Sequence, residues 1–456
     1  MVPPIAPVRD AALECATLGW RTATVPPVTA DTTRGSDEHQ LQPVGLAAGR
    51  AIPQQPSSAN DPEAAGLRDR LVESLRERGA LTTGPVETAM RAVPRHMFVP
   101  DVGLDLAHAD DIVRTKYDTD GVVISAASQP GIVAMMLDQL AVQPGHRILE
   151  IGAGTGYNAA LLAHLAGRTG TVTTVDVDAD IVEAARTHLA AAGYPDVLVV
   201  LGDGALGYPH AAPYDRVAAT VGAWDVPLAW QQQVTPGGRL VVPLRLRGDV
   251  TRSVVFERNG DHWLAVDSQM CGFMPLRGGI ADDPRHILAL TPDRAVTLNL
   301  RQDQSLIDER GLAEALTWPP LLAWTGVSLQ PPHEAPDWLW LWISCTMPNG
   351  LTRMPVDRTA VGDGRVWPQL PWGAMARAEG ATLAYLTCRG YEQGVIAHGP
   401  AAADLQAKLV ATIQAWDRDL RHLVPRIALQ PIAAEHPIEG QFTFTTPRNR
   451  LAISWT

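Results

Sequence analysis

Strand and helix patterns alternate between residues 146 and 245, and this alternation limits the possible folds more than any other feature of the chain. Short runs rich in β-branched and aliphatic residues are typical of strands, and the longer runs between them are typical of helices. Parallel strands joined by crossover helices are buried on both faces, which fits the aliphatic and β-branched residues that dominate these strands. The region is therefore predicted to form a doubly wound α/β domain. The predicted strands are 147–151, 171–176, 197–201, 216–221 and 239–244, and the predicted helices are 157–165, 179–192 and 228–233.

A glycine-rich turn follows the first of these strands. Gly152, Gly154 and Gly156 stand between the strand and the next predicted helix. Glycine at such a turn lets the backbone bend tightly and approach a ligand closely. The dinucleotide-binding pattern G-x-G-x-x-G would need a glycine at position 157, which is occupied by Tyr157. The spacing therefore favours an adenosyl sulfonium over NAD as the ligand.

Acidic residues end the next two strands. Asp176 is suitably placed to accept hydrogen bonds from both hydroxyls of a ribose, and Asp203, followed by Gly204, to accept from an adenine amino group. Either aspartate alone is as readily explained as a helix cap or a turn residue. Together with the glycine turn, they favour a nucleotide-type cofactor at the carboxyl edge of the sheet.

Residues from about 67 to 280 resemble the protein-L-isoaspartyl O-methyltransferases. The resemblance is carried by AVPRHMFV (92–99), SQPGIVAMM (128–136), ILEIG (148–152), GDG (202–204), APYD (212–215), PGGRLVVP (236–243) and CGFMPL (271–276). It implies a Rossmann-like class I methyltransferase domain with S-adenosylmethionine as cofactor. The Ser-Gln-Pro element is the most specific of these, and the resemblance places its serine, Ser128, between the cofactor and the substrate carboxylate.

The resemblance also assigns the remaining site residues. Ser128 is the catalytic candidate, and the substrate-facing candidates are Thr220, Val221 and Gly222. The predicted cofactor-binding residues are Ser128, Gln129, Glu150, Gly152, Gly154, Gly156, Tyr157, Asp176, Asp203 and Gly204.

Two departures from the family pattern bear on the substrate. Residues 115–127 lack the Pro-Ile-Gly and Gly-Gln-Thr runs of the family's loop, and residues 285–456 have no counterpart in ordinary repair enzymes. Both features resemble an extended actinobacterial branch. That branch implies esterification of an aspartate side chain in a lanthipeptide or graspetide precursor, after which the ester cyclises to an aspartimide. The alternatives are repair of isoaspartyl damage, and a non-catalytic peptide-binding scaffold.

The chain is expected to have three parts. Residues 1–60, rich in proline, alanine and small polar residues, are expected to be disordered or loosely structured. Residues 61–284 would form the methyltransferase domain, and residues 285–456 an α+β domain that binds the peptide or covers it. Nine of the 13 tryptophans lie beyond residue 300, which indicates a separate core there. Residues 338–343 alternate Trp with Leu or Ile and are predicted to form a buried strand, and Leu405 to Leu420 carry the apolar stripe of a helix.

Composition and cysteine spacing exclude several other classes of function and location. The net charge of −12 gives no basic footprint for nucleic acid or a membrane surface. No run of apolar residues reaches the ~18 needed for a membrane span, and no signal peptide is visible. The spacing of Cys15, Cys271, Cys345 and Cys388 fits neither a disulfide framework nor a zinc site. Reduced cysteines, no metal and a cytoplasmic location are therefore expected, and the oligomeric state stays open. His108, His164, His188 and His210 are expected to be structural.

Overall fold

The computed structural model describes residues 58–59, 61–119, 121–278, 285–301, 304, 307–330, 334–357, 360–361 and 364–456. The disorder or loose structure expected of residues 1–60 falls, except for residues 58 and 59, outside this part of the chain. The helices are α1 Pro62–Glu77, α2 Gly84–Ala92, α3 Leu104–Ala107, α4 Pro130–Leu140, α5 Tyr157–Ala166, α6 Ala179–Ala191, α7 Leu228–Gln233, α8 Glu309–Ala313, α9 Asp337–Thr346 and α10 Ala402–Asp419.

The strands of the first part of the chain are β1 Val113–Tyr117, β2 Val123–Ala127, β3 Arg147–Ile151, β4 Thr171–Asp176, β5 Leu198–Leu201, β6 Tyr214–Ala219, β7 Val234–Arg247, β8 Val250–Asn259 and β9 His262–Met270. They are followed by β10 Arg285–Ala289, β11 Thr297–Arg301, β12 Leu321–Ser328, β13 Thr352–Pro355, β14 Gly373–Glu379, β15 Thr382–Arg389, β16 Glu392–His398, β17 Arg426–Pro431, β18 Phe442–Thr445 and β19 Asn449–Ser454.

A ten-stranded sheet forms the centre of the molecule, in the order β18-β19-β17-β9-β8-β7-β6-β3-β4-β5. Strands β5, β4, β3, β6 and β7 are parallel. The other five strands of this sheet, β8, β9, β17, β19 and β18, are antiparallel to their neighbours. The chain runs from β3 outward through β4 to β5 and returns to the other side of β3 as β6. This confirms the predicted Rossmann-like doubly wound fold, and ligands of such sheets bind at the carboxyl ends of the strands where the order reverses.

Side chains that alternate along the strands pack into two hydrophobic cores, one on each face of the sheet. Ile148 of β3 packs with helices α1, α2, α4, α5 and α6 on one face. Its neighbours Leu149 and Ile151 face the other core, which also contains Trp340 of α9 and Trp416 of α10. The far face of the methyltransferase sheet is therefore covered by the C-terminal part of the chain.

The C-terminal part combines helices with an antiparallel sheet of its own, in the order β12-β16-β15-β14-β13. The expected amphipathic helix is present as α10, which buries Leu405, Leu409, Ile413 and Trp416. The α+β character of this region is therefore confirmed. Its last strands, β17 to β19, belong to the ten-stranded sheet, where β17 pairs with β9. The boundary near residue 284 stays a prediction, since sheet and core continue beyond it.

The prediction of a strand over residues 338–343 was wrong, because these residues belong to helix α9. Leu339, Trp340, Leu341 and Ile343 are all buried, so the helix is apolar on every side and its sequence shows no helical period. Pro336 and Asp337, just before the apolar run, are signals for a helix start that outweigh the apparent alternation.

Residues 115–127, which depart from the family's loop pattern, belong to a hairpin and its turn. Strands β1 and β2 pair in an antiparallel manner, with two irregularities of register near Lys116. Most side chains of β1 are exposed or half-buried, so the pattern of a buried strand is missing from the sequence. The segment 115–127 is therefore a structured element beside the sheet.

The sequence predicts neither a membrane span nor a disulfide framework. Within the ranges given above, no helix combines the length and the apolar character needed to cross a membrane. Cys271, Cys345 and Cys388 are buried and form no disulfide with one another, and Cys15 lies outside the described residues.

Candidate active site

A cavity of about 1140 Å³, measured to its open mouth, lies at the carboxyl ends of β3, β4 and β6. This is the place where the strand order reverses, so the sheet topology itself creates the cleft. Most of the residues predicted from the sequence meet there: the cavity wall includes Ser128, Glu150, Gly152, Gly154, Tyr157, Asp176, Gly204, Thr220 and Val221.

The glycine turn forms the floor of the cavity. Gly152 has a φ of 99°, and a Cβ atom on it would lie only 2.7 Å from the Oγ1 atom of Thr220. The Thr220 hydroxyl in turn lies 3.0 Å from the carbonyl oxygen of Ile151 and 2.8 Å from that of Gly152. Only glycine permits this close packing of the turn against the end of β6.

Asp176 closes the turn from the neighbouring strand. Its Oδ2 atom accepts a hydrogen bond from the Gly154 amide at 3.1 Å, and Oδ1 accepts one from the Asp178 amide at 3.3 Å. The carboxylate is half-buried and lines the cavity. It is thus fixed to the turn while retaining acceptor capacity for ligand hydroxyl groups.

Glu150 lies at the base of the cavity and is fully buried. Asn158 donates a hydrogen bond of 2.7 Å to its Oε1 atom. The buried Thr174 hydroxyl on the neighbouring strand also favours the charged form, but Oε2 makes no hydrogen bond of normal geometry to the described residues. Burial, the largest cause, raises the pKa of this carboxyl group to about 7. A buried acceptor without a hydrogen bond of normal geometry favours a cationic or hydrogen-bond-donating ligand group, so the cavity fits S-adenosylmethionine, which carries an ammonium and a sulfonium.

The hairpin β1–β2 forms one wall of the cavity, through residues 124–127. Lys116 attaches it to the start of α6, with Nζ 3.0 Å from Asp178 Oδ2 and 2.6 Å from Asp180 Oδ1. Arg277, which also lines the cavity, pairs with the same Asp178 at 2.8 Å. The Arg277 guanidinium is the main reason why the pKa of Asp178 lies below its usual value, with Lys116 adding to the effect.

Ser128 follows the hairpin directly and is half-buried. Its carbonyl oxygen accepts a hydrogen bond of 3.1 Å from Nη2 of the buried Arg95, which fixes the backbone at this point. Its hydroxyl has no hydrogen bond to the described part of the chain, unlike that of Ser125, which accepts from Thr115 at 3.1 Å. The Ser128 hydroxyl therefore remains available to a ligand.

Gln129 and Gly156 do not line the cavity. Gln129 donates to Asp110 at 3.1 Å, near the start of α4. A Cβ atom on Gly156 would lie 3.1 Å from Leu189, so this glycine allows α5 to pack against α6. Their predicted cofactor contacts stay predictions.

Asp203 and Gly222 also lie outside the cavity wall. Asp203 accepts a hydrogen bond of 2.9 Å from the Ala205 amide and so caps a 3-10 turn. Gly222 donates to the Met274 carbonyl at 2.7 Å and accepts from the Leu276 amide at 2.8 Å. These contacts hold the backbone next to cavity residues, and the adenine and substrate contacts suggested for the two residues stay predictions.

Several cavity residues were missed from the sequence. Asn158 stands within the first turn of α5, and its partner Glu150 is eight positions earlier, a separation without a sequence signal. Phe273 and Met274 belong to the CGFMPL motif (271–276) and line the cavity, but the motif alone does not predict that position. Arg277 follows that motif directly.

The histidines lie at structural positions. His164 Nδ1 lies 3.3 Å from the Tyr194 hydroxyl, His188 Nδ1 lies 3.0 Å from the Thr155 carbonyl, and His210 packs edge-on against Tyr208. His108 is buried 3.3 Å from His96, and burial lowers its pKa to about 4. In the part of the chain that the structure describes, no three His, Cys, Asp or Glu side chains are grouped as metal ligands would be.

The chain matches known proteins over this same region. The family model described as protein-L-isoaspartate(D-aspartate) O-methyltransferase (PCMT) matches residues 67–281. The chain is 43% identical over 178 residues to the protein-L-isoaspartate O-methyltransferase of Methanopyrus kandleri, covering 39% of this chain and 76% of that protein. It is 39% identical over 203 residues to the Methanosarcina mazei enzyme of the same name, covering 43% and 80% of the two chains.

A solved structure titled protein-L-isoaspartate O-methyltransferase aligns with 79% of this chain and 96% of its own, at 21% identity and a TM-score of 0.45. The sequence relatives carry the assignment. They indicate an S-adenosylmethionine-dependent carboxyl O-methyltransferase, an enzyme rather than the non-catalytic scaffold considered above. By this sequence similarity the chain belongs to the protein-L-isoaspartate O-methyltransferase family.

Proposed function

We propose that the protein transfers a methyl group from S-adenosylmethionine to the free carboxylate of an isoaspartyl residue in a peptide or protein. The observation that carries this proposal is that Ser128, Glu150 and Asp176 all line the same cavity. The names of the relatives from Methanopyrus kandleri and Methanosarcina mazei support the isoaspartyl carboxylate as the acceptor.

The chemistry requires little beyond alignment. A carboxyl group with a pKa of ~4 is almost fully ionised at neutral pH, so the acceptor needs no general base. Bound S-adenosylmethionine would supply an electrophilic methyl group: a carboxylate oxygen would bond to the methyl carbon as the carbon–sulfur bond breaks, with the neutral thioether S-adenosylhomocysteine as the leaving group. Holding two reactants in line contributes roughly 7–11 kcal/mol to a reaction of this type.

The chain's own residues would provide this alignment. The Ser128 hydroxyl, which has no other hydrogen bond to the described residues, would donate to the substrate carboxylate. Thr220 and Val221 line the same cavity on the side of β6. The hairpin, attached through Lys116, would keep water away from two opposite charges that neutralise each other during transfer.

A second candidate substrate is an aspartate side chain in a ribosomally made modified peptide of the lanthipeptide or graspetide type. Two observations favour it: the wall of the cavity is a hairpin with a sequence unlike the family's loop, and the C-terminal part of the chain continues the sheet. A crosslinked precursor would present one aspartate in a fixed pose, which lowers the entropic cost of binding. The next backbone nitrogen could then expel methanol from the ester and form an aspartimide without further help from the enzyme.

Three peptides separate these substrates: one with an isoaspartyl residue, the same peptide with a normal aspartate, and a crosslinked precursor. Mass spectrometry after incubation with the full-length protein and S-adenosylmethionine should show one added methyl group on the isoaspartyl peptide. A higher kcat/KM for the crosslinked precursor would favour the second candidate, and loss of methanol would mark the aspartimide. If none of the three is methylated, peptide carboxyl methylation is wrong.

The role of Ser128 is tested by the Ser128→Ala variant. We expect kcat/KM to fall roughly tenfold or more, the effect of losing one hydrogen bond to a charged group, at unchanged affinity for S-adenosylmethionine. Ser74→Ala on helix α1 is a matched control outside the cavity wall. Wild-type kcat/KM in the Ser128 variant would remove this residue from the proposal.

A further inference from the structure

A second cavity, of about 490 Å³ to its open mouth, lies beside the first. Residues from the start of β8, the end of β9, helix α9 and the region around β13 and β14 form its wall. Cys271 lines this second cavity, and Phe273, two residues later, lines the first. Two residues span at most about 7 Å, so the two cavities are neighbours at one edge of the sheet.

Arg353 supplies a positive charge to the second cavity that its surroundings compensate only in part. Its guanidinium lies 5.4 Å from the ring centre of Trp372, and Nη2 lies 3.8 Å from the position of a Cβ atom on Gly272, which stands between the two cavities. Burial, the largest cause, lowers the pKa of Arg353, and the attraction of Asp249 does not offset it. A cation withdrawn from water with only part of its charge compensated is unfavourable, so this position favours an anionic ligand.

Trp340 adds a second donor to the same wall. Its side chain is only 7% exposed, and the indole N–H finds no acceptor among the described residues. A guanidinium and an indole N–H, both donors, suit a ligand with two acceptor oxygens, such as a carboxylate.

Two carboxylates also line this cavity, and both face arginines. Asp337 forms an ion pair with Arg252. Asp249 has Arg285 at 3.4 Å and Arg301 at 3.7 Å from its Oδ1 atom. Asp249 also attracts the Arg353 guanidinium, but this carboxylate is shared with Arg285 and Arg301 and compensates the charge of Arg353 only in part.

We propose that the second cavity binds the carboxylate of an aspartate or glutamate side chain in the peptide substrate, two to four residues from the carboxylate that is methylated. The separation follows from the length of an extended peptide, about 3.3–3.6 Å per residue, and the distance between the cavities. This inference rests on the proposed function, since it assumes that a peptide lies across the first cavity.

The test uses the full-length protein and a set of peptides with one methyl-accepting residue. A single glutamate is placed at each of the four positions on either side, and every peptide has a glutamine counterpart. We expect glutamate to raise kcat/KM roughly tenfold or more over glutamine at one or two positions within the range, mainly through KM. In Arg353→Gln this ratio should fall to about one, and in Trp340→Phe, which loses only the N–H donor, it should fall part of the way.

Arg418→Gln is the matched control, because this arginine is exposed and pairs only with Asp419 among the described residues. Its glutamate-to-glutamine ratio should equal that of the wild type. Calorimetry with S-adenosylmethionine shows whether each variant is folded. If Arg353→Gln does not fold, the Trp340→Phe variant still tests the subsite. No positional preference in the wild type, or a preference that persists in the folded variants, overturns the subsite while the proposed function stands. Absence of methylation on every peptide overturns the proposed function and the subsite with it.

Discussion

Replacing Glu150 with glutamine is expected to remove a pH dependence of cofactor binding and of stability that the wild-type protein shows between about pH 5 and 8. The wild-type side chain is fully buried, and its burial raises the pKa of the carboxyl group from 4.5 to about 7. Asn158 donates to one of its oxygens, and the other makes no hydrogen bond of normal geometry to the described residues. The charged form is therefore unfavourable until a ligand supplies a donor or a cation.

The size and the sign of both effects follow from this pKa. A rise from 4.5 to about 7 corresponds to roughly 3 kcal/mol. Because the pKa is higher in the folded state, the stabilisation is fully present below pH ~4.5 and is lost as the pH rises through about 7. A bound cofactor ammonium or sulfonium favours the carboxylate, so the affinity should rise about tenfold between pH ~6 and ~8, as the ionised fraction does.

The measurements are isothermal calorimetry with S-adenosylmethionine and unfolding of the cofactor-free protein, each across this pH range. Glu150→Gln should show nearly constant affinity and should not lose stability as the pH rises. Glu183→Gln, a side chain 74% exposed on α6, is the control and should behave as the wild type. If the Glu150 variant retains the tenfold rise in affinity, another group is responsible and the assignment of Glu150 is wrong.

Four further changes test other parts of the structure. Asp176→Ala should weaken S-adenosylmethionine binding roughly tenfold or more in calorimetry, since the glycine turn loses its acceptor. Lys116→Met should speed hydrogen exchange in the hairpin, at a cost of only about 0.2–1 kcal/mol for each lost ion pair, and unchanged exchange would contradict the role of Lys116. Burial lowers the pKa of His108 to about 4, so wild-type stability should fall as the pH drops from about 6.5 to 4, and His108→Gln should flatten that fall. Trp416→Ala should lower the free energy of unfolding by about 3–5 kcal/mol in denaturant titrations, because its side chain is buried in the core shared by α10 and the sheet.

The cofactor half of the site could be predicted from the sequence because its determinants are local. Strands β3 and β4 run over the predicted residues, since aliphatic and β-branched residues dominate them and their ends are marked by glycine and aspartate. The turn from Gly152 to Gly156 and the carboxylate of Asp176 lie near one another for the same reason. Parallel strands bring consecutive strand ends to one edge of the sheet.

The rest depends on contacts between distant residues. Helix α9 was predicted as a strand because full burial removes the helical period from its sequence. The pairing of β17 with β9 joins residues more than 160 positions apart and has no local signal. Likewise, Arg277 and Lys116 meet at Asp178 from three different segments, so none of their sequences alone indicates the ion pairs.

This division explains why the cofactor is easier to infer than the substrate. The predicted cofactor contacts come from backbone turns and strand ends that any sheet of this topology presents. The proposed substrate side consists of the hairpin, the segment containing Phe273, and C-terminal residues of the second cavity such as Trp340 and Arg353. If the proposed subsite is correct, the C-terminal part selects peptides directly, through the residues it contributes to the second cavity. Choice of substrate should then respond to changes in the wall of that cavity that leave the affinity for S-adenosylmethionine untouched.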